Sequence, residues 1–138
     1  MFANLEIALY NPKYRVLLSV HHFYIGEILK ASRTELEGVL LIEPTIHGDC
    51  RGRFFESYKK EEYHAFGIED DFVQENQSLS QKNVLRGLHY RIEPEQAKLV
   101  RVIRGEVFDV VVDMRKKSPT FGKWQGFILS ESNHIQLY

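Results

Sequence analysis

A histidine and an arginine lie close together in the run Arg86-Gly87-Leu88-His89-Tyr90. An arginine guanidinium offers a planar fork to a phosphate, and a histidine exchanges a proton near neutral pH. Strict strand alternation would place Arg86 and His89 on opposite faces, so a shared site requires a bulge or bend at Gly87. The alternative is a histidine with satisfied hydrogen bonds beside a structural ion pair.

A carboxylate in an apolar strand is the second candidate. Alternation over 107–114 puts two valines and two aspartates on one face: Val107, Asp109, Val111 and Asp113. An ionised carboxylate among valines is costly unless it is paired or hydrogen-bonded. Asp109 therefore needs a partner, which is either a structural hydrogen-bond donor or a group that takes part in catalysis.

Two groups of basic residues allow both a functional and a structural interpretation. Lys98 shares a predicted strand face with Val100 and Val102, and it either meets a negative group or is an exposed lysine at a strand start. Arg51 and Arg53 flank Gly52 in a predicted turn, where they either hold a phosphate or are solvated.

Side-chain amides form a third candidate group. Gln74 and Asn76 fall on one face of a strand predicted over Asp71–Gln77, where they either contact a base or a sugar or belong to an exposed edge strand. No His-x-His pair occurs, and Cys50 is the single cysteine, so we expect neither a metal site nor a disulfide.

Composition limits the class of protein. The 138 residues carry 18 Lys+Arg and 19 Asp+Glu, a formal net charge of −1, which indicates one globular domain without a nucleic-acid surface but leaves a small anionic ligand open. The apolar run over 16–26 contains two histidines and is too short to span a membrane. It is also a poor secretory signal, so we expect a cytoplasmic protein with no membrane partner.

Turn residues at close spacing predict short strands after Gly38. The pattern predicts a helix over 59–66 that ends at Gly67, whereas the apolar residues of 16–29 fit either a buried strand or a helix. The predicted strands cover 39–42, 54–58, 71–77, 84–90, 98–103, 107–114 and 123–129. Several strands with one short helix indicate an all-β sandwich, jelly roll or barrel.

In this order, these runs resemble the dTDP-4-dehydrorhamnose 3,5-epimerase family, metal-free members of the cupin-like jelly rolls (double-stranded β-helices). The matching blocks begin with 38–44, 48–58 and 72–76. They continue with 84–90, 97–101, 105–110 and 113–122. The resemblance divides the chain into an N-terminal extension, 1–37, which does not match the family, and a partial jelly-roll domain, 38–138, which is incomplete at its C-terminal end.

The resemblance implies epimerisation at the two carbons that flank the 4-keto group of a dTDP-6-deoxyhexose, on the route to dTDP-L-rhamnose. It makes His89 the base, Asp109 the residue that orients it, and Lys98 the cation beside the developing enolate. It also implies that the diphosphate and nucleotide are held by Arg51, Arg86, Glu56, Gln74 and Asn76. No cofactor is required because the ketone is the electron sink, and the family typically forms dimers.

Three hypotheses follow for this chain. It is an active epimerase, or a non-catalytic protein that binds sugar nucleotides, or a truncated remnant. The family chain continues past the position of Tyr138 to another active-site histidine and to the tyrosine that supplies the opposing acid, and Tyr138 itself is not that tyrosine. The sequence therefore favours epimerase ancestry and leaves activity open.

Overall fold

The structure is a computed structural model that describes residues 2–9 and 29–138, with side chains for 29–138. Its single helix in this part of the chain is α1 (Lys60–Ala65). The strands are β1 (Phe2–Leu9), β2 (Leu29–Arg33), β3 (Leu40–Pro44), β4 (His47–Asp49), β5 (Gly52–Phe54), β6 (Val84–His89), β7 (Val100–Arg101), β8 (Glu106–Asp113), β9 (Trp124–Ser130) and β10 (Gln136–Leu137).

Two four-stranded sheets form the body of the fold. Their strand orders are β6-β1-β8-β9 and β2-β3-β10-β7, while β4 and β5 make a separate hairpin. All the strand pairs are antiparallel. The main core lies between the sheets and joins residues from both: Leu36, Val39, Val111, Phe127, Leu129 and Leu137. This arrangement confirms the predicted all-β, jelly-roll class.

A second core lies beneath α1, where Tyr63 and Ile68 pack with Leu29 and Ile42. The helix ends as predicted at Gly67, whose φ of +83° suits a residue without a Cβ. The N–H of Gly67 donates to His64 at 2.9 Å and that of Ile68 donates to Tyr63 at 3.1 Å, the pair of bonds that closes a Schellman motif.

The predicted alternation along β8 is also correct. Asp109 and Asp113 are fully buried, and Val111 on the same face is 3% exposed. Asp109 pairs with Phe127 of β9, which belongs to the main core. The face of β8 that carries the two aspartates is therefore the face turned toward the second sheet.

The strand predicted over Asp71–Gln77 is wrong, because this segment is irregular and Val73 is 92% exposed. The strands predicted over 54–58 and 98–103 are shorter in the structure, where β5 ends at Phe54 and β7 contains only Val100 and Arg101. The question of strand or helix over 16–29 falls almost entirely outside the described residues. Within those residues, no helix has the length and apolar character needed to cross a membrane.

Candidate functional site

A bulge in β6 brings Arg86 and His89 to the same side of the sheet. Asn4 of β1 pairs with His89 and Glu6 pairs with Arg86, so three steps along β6 oppose two steps along β1. The extra residue falls at Gly87-Leu88, and Gly87 has a φ of +112°, which a residue with a Cβ rarely adopts. The bend at Gly87 that a shared site requires is therefore present.

Asp109 lies on the same side of this sheet but one strand further away. Glu6 of β1 is directly opposite Arg86 of β6 and also directly opposite Asp109 of β8. Because directly opposed residues of antiparallel strands share a face, Arg86 and Asp109 lie on the same face of the sheet. Neighbouring strands are about 4.8 Å apart, so about 10 Å separates the backbones of β6 and β8. In the described part of the chain no hydrogen bond joins His89 to Asp109. His89 is exposed, whereas Asp109 is fully buried.

Lys98 lines a cavity of about 700 Å³ at one end of the space between the sheets. The lining also includes Val111, which is two residues from Asp109 on the same face of β8. Arg33 and Arg115 also line the cavity, as do the acidic residues Glu37, Asp70 and Glu95. Of the predicted site residues, all of which lie in the described range, Lys98 alone contributes to this wall.

Tyr138 closes another wall of the cavity and donates a hydrogen bond from its hydroxyl to Asp70. Burial, together with the nearby Asp70 carboxylate, raises the pKa of Tyr138 to about 12. The hydroxyl therefore keeps its proton near neutral pH. The cavity therefore presents the Lys98 ammonium as a donor, whereas the single phenolic proton of Tyr138 is already donated to Asp70.

Arg51 is paired within the β4–β5 turn. Its backbone N–H and its Nε donate to Oδ1 and Oδ2 of Asp49 at 2.8 and 3.0 Å. The side chains of Arg51 and Asp49 are 86% and 48% exposed. Hydrogen bonding to Arg51 lowers the pKa of Asp49, so the carboxylate stays ionised near neutral pH. An incoming phosphate would compete with Asp49 for this guanidinium.

The predicted amide pair does come together, although without a strand. Nε2 of Gln74 donates to Oδ1 of Asn76 at 3.0 Å, and both side chains are exposed. Nε of Arg86 donates to Oγ of Ser80 at 2.9 Å, which ties β6 to the same irregular segment. The amides and Arg86 are therefore connected through residues 74–80.

Glu56, the remaining predicted site residue, is half-buried after β5. Its Oε1 is buried and accepts no hydrogen bond from the described residues. A buried carboxylate oxygen without a donor is costly, so this atom has the capacity to accept a hydrogen bond from a ligand.

A buried ionic network at the end of β8 was missed by sequence reasoning. Asp113 accepts hydrogen bonds from Arg115 Nε and Nη2 at 3.0 and 2.8 Å, from Ser118 Oγ at 2.5 Å and from Thr120 Oγ1 at 2.6 Å. Burial alone would raise the pKa of Asp113, but these donors outweigh it and hold the pKa well below its usual range. Arg115 also donates to the carbonyl of Glu37, which fixes the cavity rim. The sequence signal that could have revealed this network is the set of side-chain donors that closely follow Asp113, namely Arg115, Ser118 and Thr120.

Titratable side chains do not cluster as metal ligands in the described residues, where no group of three His, Cys, Asp or Glu side chains is placed to hold an ion.

Comparison with known proteins identifies the relatives of this chain. A family model described as dTDP-4-dehydrorhamnose 3,5-epimerase matches residues 33–138. The protein of that name from Shigella flexneri is 55% identical over 108 residues, which cover 77% of this chain and 60% of the relative. The one from Methanothermobacter thermautotrophicus is 48% identical, with 77% of this chain and 57% of the relative covered.

Solved structures give the same result. The 3,5-epimerase from Legionella pneumophila in complex with dTDP-4-keto-L-rhamnose is 52% identical with a TM-score of 0.76, over 79% of this chain and 58% of that one. The epimerase from Bacillus anthracis with TDP and PPi bound is 44% identical with a TM-score of 0.76, over 79% and 63%. The chain thus spans about 60% of the length of these relatives.

Proposed function

Because the chain belongs to the dTDP-4-dehydrorhamnose 3,5-epimerase family, we propose that it epimerises a dTDP-4-keto-6-deoxyhexose by removing protons from the carbons that flank the 4-keto group. The observation that carries this proposal is the β6 bulge, which puts Arg86 and His89 on the face of the sheet that Asp109 shares. The guanidinium of Arg86, which can bind a phosphate, and the imidazole of His89, which can accept a proton, then lie on the same side of one sheet.

Epimerisation needs a base at the carbon next to the ketone and a cation at the ketone oxygen. His89 takes the proton from the carbon next to the ketone, and the electron pair of the broken C–H bond moves to the 4-oxygen as an enolate. Lys98 stabilises that negative oxygen, which requires the sugar to reach from His89 on β6 to the cavity wall that Lys98 lines. Water supplies a proton to the opposite face of the same carbon and His89 releases its proton to solvent, which completes the inversion, and no cofactor takes part in these steps.

Binding of the nucleotide part is assigned to the remaining candidates. Arg86 and Arg51 hold the diphosphate, and Arg51 exchanges the Asp49 carboxylate for a phosphate in doing so. Glu56, Gln74 and Asn76 seat the nucleoside, with the buried Oε1 of Glu56 as an acceptor. Asp109 supports the protonated imidazole across β1, without a direct hydrogen bond.

Solvent-deuterium exchange into dTDP-4-keto-6-deoxyglucose tests proton removal. We expect mass increases next to the ketone with the wild-type chain and at least a tenfold slower exchange with His89→Asn. His64→Asn is the matched control because His64 is also exposed, on α1. Exchange that His89→Asn leaves unchanged would refute the assignment of the base.

A second pair of variants tests the cation. Lys98→Met removes the charge from the cavity wall and should slow exchange strongly with little loss of binding, because the enolate forms only after the substrate is bound. Lys116→Met removes an exposed lysine outside the cavity lining and should have no effect. Equal rates for the two variants would contradict the role of Lys98.

A second candidate function is sugar-nucleotide binding without catalysis. It is favoured by the position of β1, which lies between β6 with His89 and β8 with Asp109. Saturable binding of dTDP that weakens in Arg86→Ala, together with no deuterium exchange at any substrate concentration, would establish this alternative.

The cellular setting is also part of the proposal. We expect a homodimer in the cytoplasm that takes a dTDP-sugar and neither nucleic acid nor membrane as partner. The single exposed thiol of Cys50 is compatible with a reducing compartment. Cell fractionation with an antibody to the chain tests the location.

A further inference from the structure

Three acidic residues of the described range, Glu37, Asp70 and Glu95, line the cavity between the sheets. The carboxylate of Asp70 is hydrogen-bonded, because its Oδ2 accepts from the hydroxyl of Tyr138. Glu37 contributes its backbone carbonyl, not its side chain, to the hydrogen bond with Arg115. Among the residues that the structure describes, Asp70 is therefore the one acidic group on the cavity wall whose position a side-chain hydrogen bond fixes.

The loop that carries Asp70 is anchored on both sides of this residue. Ile68 is fully buried in the second core, and the ring of Phe72 packs against the same core. Asp71 forms an ion pair with Lys60 of α1. A group that is already fixed loses little conformational freedom when it binds a ligand, so the carboxylate of Asp70 is preorganised although it is exposed.

Tyr138, the hydrogen-bond donor to Asp70, is fixed as well. Its backbone N–H donates to the carbonyl of Leu40 and its carbonyl accepts from the N–H of Leu40, both at 2.9 Å. Its ring lies edge-on to Phe72, with 6.5 Å between the ring centroids. A carboxylate has about four lone-pair sites, and the phenol uses one of them. Asp70 makes no ion pair within the described residues, so its other sites can accept a hydrogen bond from a ligand.

Lys98 supplies the complementary donors in the same cavity. An ammonium group has three N–H donors, and no described residue forms an ion pair or a side-chain hydrogen bond with Lys98. The cavity holds about 700 Å³, a volume typical of sites for small molecules. A sugar ring with a carbonyl oxygen and a free hydroxyl matches these two groups, because the oxygen accepts from Lys98 and the hydroxyl donates to Asp70.

We propose that Asp70 is a specificity-determining residue of the cavity, where its carboxylate accepts a hydrogen bond from a ring hydroxyl of the sugar whose 4-oxygen lies at Lys98. The inference rests on the proposed function, which puts that oxygen at Lys98. In a 4-keto-6-deoxyhexose joined to a diphosphate at C1, the free ring hydroxyls are those of C2 and C3. A sugar that lacks the bound hydroxyl leaves Asp70 desolvated without that donor, so it binds more weakly. Tyr138 is a positioning residue that acts through Asp70.

Isothermal titration calorimetry with dTDP-6-deoxyglucose measures this binding without turnover, because a 4-hydroxyl replaces the ketone and no neighbouring C–H bond is acidic. We expect the wild-type chain to bind this parent sugar at least fivefold more tightly than at least one of its 2-deoxy and 3-deoxy analogues. Asp70→Leu keeps the approximate size of the side chain and should erase the difference by weakening binding of the parent sugar alone. Asp71→Leu, in the same loop but outside the cavity lining, should keep the difference.

Tyr138→Phe tests the positioning role, since it leaves the charge of Asp70 and removes the hydrogen bond that holds it. It should weaken binding of the parent sugar by about two- to threefold and leave the affected analogue unchanged, whereas loss of a purely structural residue would weaken both alike. Equal affinity of the wild-type chain for all three sugars, no binding of any of them, or a difference that Asp70→Leu retains would overturn the proposal. Deuterium exchange reports catalysis separately: selective binding without exchange refutes the proposed function alone, and exchange without selective binding refutes the Asp70 assignment alone.

Discussion

Replacing Asp113 with asparagine changes one carboxylate oxygen into an NH₂ group inside the buried network at the end of β8. Oδ1 of Asp113 accepts from the backbone N–H and Nε of Arg115, and Oδ2 accepts from Arg115 Nη2, Ser118 and Thr120. The new NH₂ group cannot accept from Arg115 Nη2, although the two hydroxyls can rotate to accept from it. The variant keeps the shape of the site and loses its charge.

The loss of folding stability depends on which hydrogen bonds the variant keeps. A hydrogen bond to a charged group contributes about 1.5–3 kcal/mol, and breaking a buried ion pair costs about 3–5 kcal/mol. The Arg115 side chain is 33% exposed, so water compensates part of the loss. We therefore expect Asp113→Asn to lower the free energy of unfolding by about 3 kcal/mol, which lowers Tm by about 10 °C in a domain of this size.

Asp49→Asn is a matched control because Asp49 bonds the backbone N–H and side chain of Arg51 with the same two-residue spacing. That pair is exposed, so its loss should leave Tm unchanged within error. Differential scanning calorimetry of both variants at pH 7 measures the contrast. Equal shifts in Tm would refute the argument that burial, and not the geometry of the pair, gives the Asp113 network its stabilising effect.

The same network predicts a pH dependence. The folded-state pKa of Asp113 lies below its unfolded value of about 3.9. Its ionised form therefore stabilises the fold fully above about pH 4, and this contribution is lost as the pH falls through the folded-state pKa. The difference in stability between wild type and Asp113→Asn should be constant from pH 7 to about pH 5 and should shrink below pH 4. A difference that shrinks on raising the pH would contradict this sign.

Three further changes probe the packing. Gly126→Ala places a Cβ 2.3 Å from Cζ of Phe108 and should lower the free energy of unfolding, measured with urea, by about 1–3 kcal/mol. The double variant Gly126→Ala/Phe108→Leu should recover most of this loss. No recovery would exclude the clash as the cause. Tyr63→Phe removes a buried hydroxyl that lies 3.0 Å from Oε1 of Gln136. We expect the free energy of unfolding, measured by calorimetry, to fall by about 1–2 kcal/mol. An unchanged Tm would show that water replaces the hydroxyl. Deleting residues 1–9 removes the partner of β6, so hydrogen exchange should quicken over β6 and stay slow over β9, and protection retained in β6 would contradict the β1 pairing.

Local patterns predicted the parts of the fold that depend on near neighbours in sequence. The two-residue period of β8 identified its buried face, and Gly67 marked the end of α1 because a positive φ is needed there. The need for a bulge at Gly87 followed from the positions of Arg86 and His89 alone. In each case the deciding interaction lies within a few residues.

Long-range pairing could not be predicted in the same way. The segment Asp71–Gln77 has strand-like residues, but a strand needs a partner, and no neighbouring edge pairs with it in the described residues. The Asp113 network was missed because its donors, Arg115, Ser118 and Thr120, are ordinary in composition and become informative only when the turn brings them together. Which strands are adjacent is likewise a property of the whole sheet.

The position of β1 shows why the candidate residues do not define the site by themselves. β1 lies outside the family match over 33–138, yet it pairs with β8 along its whole length and with β6 along most of it. Within the described residues β6 has no other partner, so β1 sets the place of Arg86 and His89 relative to Asp109. An orienting effect of Asp109 on the imidazole must therefore act across about 10 Å of sheet. A chain that kept every candidate side chain but lost β1 would lose that relation.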